Sequence, residues 1–96
     1  MNTKEAYKQK IEAELELAQA KLATFQAQAK NASADAHLAY KKQAGELESM
    51  FDNTKVKLKE LGEASDGAWE QMKEGVESAW STLSAAMHDA SAKFKS

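Results

Sequence analysis

The chain has 96 residues and contains no cysteine, no proline and no arginine; its 13 basic residues are all lysine. Without cysteine there is no disulfide framework, thiolate nucleophile, zinc knuckle or iron–sulfur ligand set, and nothing requires an oxidising compartment. Without arginine, and with a formal net charge of −2, the chain lacks the basic footprint and the base-reading side chain of a nucleic-acid partner. Glycines number four and stand singly, which excludes a phosphate-cradling loop and the strained elbow of a hydrolase nucleophile. Apolar runs are short, Ala85-Ala86-Met87 being among the longest, so no stretch approaches a membrane span. Met1-Asn2-Thr3-Lys4-Glu5 leads into a charged segment with no apolar signal core, and the expected address is cytoplasmic. The length allows one domain, residues 1–96.

What is present favours helix. Alanine supplies 19 residues, and Lys, Glu, Gln and Leu fill most of the rest, the side chains that lose least entropy in a helix. The β-branched residues are few: Ile11, Val56, Val76 and the threonines 3, 24, 54 and 82. Strands therefore have little raw material, and the expected fold class is all-α.

Apolar spacing gives the helical period. Tyr7, Ile11, Leu15, Ala18, Leu22, Phe25, Ala29 and Ala32 recur by steps of four and three. Tyr40, Ala44, Leu47, Phe51, Thr54, Leu58, Leu61, Ser65, Ala68 and Met72 alternate four and three throughout, a heptad pattern that favours left-handed packing of helices. Val76, Ala79, Leu83, Met87, Ala90 and Phe94 continue with occasional paired fours, which relaxes that twist. An eleven-residue repeat appears as identity: Ala68-Trp69-x-x-Met72-x-x-Gly75-Val76 is echoed by Ala79-Trp80-x-x-Leu83-x-x-Ala86-Met87. Eleven residues make almost three whole turns, so Trp69 and Trp80 share one face. The spacing identifies that face as packing surface for a neighbouring helix, with an aromatic ligand groove as the sharper alternative.

Two places read as punctuation. Asn31 offers a left-handed helix stop with Ser33 as the next N-cap, and Gly62 a stop with Ser65 or Asp66 as N-cap. Cutting there predicts three helices over about 3–31, 34–61 and 66–94 in an antiparallel bundle or coiled coil. The competing architecture fuses the last two segments into one helix of about 90 Å, because the four-three spacing runs through Leu61, Ser65 and Ala68 in phase. Large apolar side chains are few and many stripe positions are alanine, so the core is thin and self-association, a dimer first, is the expected remedy.

A search for chemistry finds helix faces. His37 and His88 lie far apart, and neither has a Glu three positions earlier, those places being Ala34 and Ala85. Met87-His88-Asp89 is a weak soft-metal tripeptide. Glu12 and Glu16, or Asp66, Glu70 and Glu74, stand one turn apart, but Lys8 precedes Glu12 and Lys73 precedes Glu77 as on solvated faces. Ser84 and His88 share a face, whereas Asp89 points about 100° away. No catalytic residue, metal site or cofactor is assigned, and an enzyme is not expected. Amphipathic repeats with Trp, Met and Phe also suit a lipid interface, although residues 66–96 carry more acids than lysines, a poor match to an anionic surface.

The segment Glu60-Leu61-Gly62-Glu63-Ala64-Ser65-Asp66-Gly67-Ala68-Trp69-Glu70-Gln71-Met72-Lys73-Glu74-Gly75-Val76-Glu77-Ser78-Ala79-Trp80 resembles small bacterial coiled-coil proteins associated with stress responses, whose pattern reads roughly ELxxAS…AWxxLKxGxExAWxxL. Tyr7-Lys8-Gln9-Lys10-Ile11 is similar to the start of that family, and Met72 stands where Leu is usual, a volume-conserving change. The resemblance implies a cytoplasmic, all-helical protein tied to stress physiology and carries no catalytic residue or cofactor with it. The expected function is therefore a self-associating helical structural or protein-interaction module. Ala68, Trp69, Met72, Val76, Ala79, Trp80 and Leu83 are its expected contact surface, and reversible lipid binding is the alternative.

Overall fold

A computed structural model describes residues 3–93. Three helices follow in order, α1 (Thr3–Lys30), α2 (Ala34–Glu63) and α3 (Trp69–Lys93), and among the described residues there is no strand. They run up, down and up in an elongated bundle of 51 × 19 × 18 Å. The expected bundle of three segments is thus the fold, and the single long helix across residues 34–94 does not form. α2 lies in the middle and packs extensively on both neighbours, whereas α1 and α3 touch each other much less.

Each helix buries the stripe that its spacing predicts. Ile11, Leu15, Ala18, Leu22, Phe25 and Ala29 are buried on α1, and Ala44, Leu47, Phe51, Thr54, Leu58 and Leu61 on α2. On α3 the buried residues include Trp69, Val76, Ala79, Leu83 and Ala90; Phe94, the last residue of the expected stripe, lies outside the described residues. One cluster joins Ile11, Leu15, Phe51, Leu58, Leu61, Trp69, Val76 and Leu83. A second, toward the α1–α2 turn, joins Leu22, Phe25, Ala44, Leu47 and Ala90, with the Phe25 and Tyr40 rings 5.1 Å apart. Among the described residues Thr54 is the buried polar one; its Oγ1 donates to the Met50 carbonyl at 2.9 Å, so the hydroxyl is satisfied within its own helix.

The turns differ from expectation in their chemistry. Among the described residues no non-glycine has positive φ, so Asn31 is not a left-handed stop. It ends α1 another way: its backbone N–H donates to Gln28 O, and its side-chain Nδ2 donates to Ala27 O at 3.2 Å. The Ala29 carbonyl accepts from Ala32 N and lies 2.9 Å from His37 Nδ1, which ties the start of α2 to the end of α1. Together these satisfy the Ala27, Gln28 and Ala29 carbonyls, three of the four that a helix end leaves open. Ser33 is the expected N-cap, its hydroxyl accepting from Ala36 N.

Gly62 is likewise no stop. α2 runs through it to Glu63, and the extended backbone of Ala64 (φ −73°, ψ 154°) ends the helix. No glycine has positive φ, so the second turn draws on no glycine-specific conformation. A side chain caps it from outside, Lys4 Nζ donating to Ala64 O at 3.0 Å. The Ser65 carbonyl then accepts from Ala68 N and Trp69 N, and this turn leads into α3. The in-phase spacing through Ser65 is coincidental, for Ser65 is exposed and burial resumes at Trp69.

Three substitutions test this packing by urea unfolding. Leu83→Ala, at a wholly buried position, is expected to cost about 2–5 kcal/mol. Thr54→Val is expected to leave stability unchanged or raise it by up to about 1 kcal/mol, since the hydroxyl it removes only back-bonds its own helix. Gly75→Ala, where an added Cβ meets nothing within 4 Å, is expected to stabilise by about 0.5–1 kcal/mol.

Candidate functional site

The weak meeting of α1 and α3 leaves two distinct regions along their shared side. At the start of both helices they are fastened. The Tyr7 and Trp69 rings lie 6.1 Å apart, and Lys73 Nζ sits 5.0 Å from the Tyr7 ring centre and 5.5 Å from that of Trp69. Tyr7 Oη donates to Glu77 Oε1 at 3.4 Å. An ammonium over two π-faces and a phenol on a carboxylate complement the aromatic burial. Partial burial pushes the Tyr7 phenol up to about 12, and the negative charges of Glu77 and Glu14 add to the effect.

Further along, the two helices part and leave a groove of about 490 Å³. Leu17, Ala18 and Phe25 form its α1 wall, Trp80, Ser84 and Met87 its α3 wall, and Leu47 of α2 lies beneath. Glu14, Lys21 and His88 supply the charged and titratable rim. Leu17 is 67 % exposed, and Trp80 and Met87 are half-buried. Apolar side chains thus open to solvent here, and exposed apolar patches mark contact sites.

The expected contact set divides between these regions and the core. Trp69, Val76, Ala79 and Leu83 are buried against the chain's own helices, while Ala68, Met72 and Trp80 are half-buried. Trp69 and Trp80 do share a face, but Trp69 is absorbed by the core and Trp80 borders the groove. Spacing does not single out Tyr7, Lys73 and Glu77 as a unit, because their meeting joins the starts of α1 and α3, which are far apart in the chain. Leu17 carried a usable signal, a leucine off the stripe between Leu15 and Ala18.

His37 is exposed and bonds the α1 terminus, and no group of three His, Cys, Asp or Glu among the described residues is arranged to hold a metal ion. Ser84 and His88 both line the groove. No described helix is long and apolar enough to cross a membrane.

The Tyr7 fastening has a pH signature. The folded phenol titrates near 12 against 10 for the free group, so the fold favours its protonated form. That contribution is complete below pH 10 and is lost as pH rises through 12. The comparison is with Tyr7→Phe. The urea midpoint of the native chain is expected to fall more steeply over that range than that of the variant. Ultraviolet titration of the folded protein is expected to show a late phenolate that Tyr7→Phe removes.

A comparison with known family models finds none that matches the chain, and comparisons with curated proteins and with solved structures likewise return no match.

Proposed function

We propose that this chain is a non-enzymatic helical protein that self-associates, as a dimer first, and acts as a structural or protein-interaction module. The observation that carries the reading is the apolar opening between α1 and α3, where Leu17, which stands off the buried stripe, is exposed and Trp80 and Met87 are half-buried. A bundle only three helices thick has little core to spare, and covering such a face stabilises by mass action. The bacterial and cytoplasmic setting and the tie to stress physiology follow from the resemblance of residues 60–80 to the stress-associated coiled-coil proteins. Of the expected contact residues, Trp80 keeps that role. Trp69, Val76, Ala79 and Leu83 pack within the chain, and Ala68 and Met72 lie half-exposed outside the groove.

The two tryptophans therefore separate in a test. Trp69→Ala is expected to destabilise the chain by about 3–5 kcal/mol in urea unfolding, as loss of a buried aromatic does. Trp80→Ala is expected to keep the helical circular dichroism and to lower the molar mass seen by light scattering across a dilution series. An assembly unchanged by Trp80→Ala contradicts the reading. Binding to vesicles by a chain that stays monomeric alone favours the lipid alternative instead.

A further inference from the structure

We infer that the occupant of the α1–α3 face is a second copy of this chain, stacked antiparallel about a two-fold axis that crosses α1 between Leu17 and Ala18. The inference rests on the self-association proposed above and specifies its geometry.

The relative height of the two helices sets the frame. Tyr7 lies against Lys73, between its contacts to Trp69 and Glu77, so level positions on α1 and α3 differ by 66 in residue number. The same offset brings Leu17 level with Leu83 and Ala18 level with Ser84. A two-fold axis lying in the plane of the face, at right angles to the helices, stacks α1 on α1 and α3 on α3. One height must therefore suit both pairs.

The α1 stripe selects that height by charge. Glu14 and Lys21 both border the groove, and an axis midway between them sets Glu14 of each copy opposite Lys21 of the other. Opposite charges meet twice and no like pair is forced together at the rim. At this height the protruding Leu17 faces Ala18 of the second copy, a small residue in the groove wall.

The α3 stripe, which had no part in that choice, agrees. An axis between Leu83 and Ser84 lies midway between Trp80 and Met87, so Trp80 of each copy meets Met87 of the other. A thioether on an indole is a favourable contact. The small Ser84 at the axis leaves room for close approach. The face, about 51 Å by 19 Å, has room for the roughly 800 Å² per partner of a standard interface.

The test uses the full chain and follows molar mass by sedimentation equilibrium over a dilution series, with circular dichroism to verify folding. Glu14→Lys and Lys21→Glu, each alone, are expected to weaken the dimer about tenfold, since each places two like pairs across the axis. The double variant E14K/K21E is expected to restore the dissociation constant to within a few-fold of the native value. Leu17→Asp, at an exposed helical position, is expected to leave the fold intact and abolish the dimer. A dimer indifferent to all four variants overturns this register while self-association stands. A chain that is monomeric at every concentration overturns both, whether or not it sediments with phosphatidylcholine–phosphatidylglycerol vesicles.

Discussion

The rest of the structure depends on the covering of Trp69 by the start of α1. A tryptophan in water forgoes a large apolar transfer, on the order of 25 cal/mol per Å². On a helix continuing straight out of α2, that ring would have no partner in its own chain. Turning at residues 64–68 brings it beneath Tyr7, where it is 5 % exposed. Lys73 then fits over both rings, and Lys4 closes the Ala64 carbonyl that the turn opens. Three separate interactions thus act at the same corner, and the Tyr7–Trp69, Lys73–Tyr7 and Lys4–Ala64 contacts all require the turn.

Fastening at one end explains openness along the rest. α2 supplies a stripe that both neighbours share, so α1 and α3 are each held by α2 more than by one another. Large side chains bring them together near Tyr7. Beyond it, the α1 wall offers Ala18 and the α3 wall Ser84, and the gap between them is the groove. The surface proposed for assembly is therefore a consequence of where bulk was placed in the core. Charge on its rim and the Trp80–Met87 spacing are the features on which the proposed antiparallel dimer rests.

Much of this was legible in the residues alone. The helix class, the three segments and nearly every buried position of α1 and α2 follow from the four-three spacing, because burial in a bundle obeys that period directly. The turn chemistry was not legible in the same way. Asn31 and Gly62 carry the usual stop signals, yet the helices end through side chains that arrive from elsewhere, Lys4 and His37 among them. Phase through Ser65 favoured a continuous helix equally well, since periodicity does not register a change of direction. Of the residues expected at the contact surface, Val76 and Leu83 satisfy the helix–helix pattern within the chain, whereas Leu17, which departs from that pattern, reaches solvent. Sites built from residues some 70 positions apart, such as Tyr7 with Glu77, leave no local trace.

The most direct measurement of the central claim is an intrachain distance. The chain has no cysteine, so Lys41→Cys and Asp89→Cys accept a pair of spin labels cleanly. Diluting the labelled chain into an excess of unlabelled chain removes contributions between copies. A folded-back α3 predicts a separation comparable to the 19 Å width of the bundle, lengthened only by the label arms. A separation of ~70 Å, the length of continuous helix between those positions, would contradict the account.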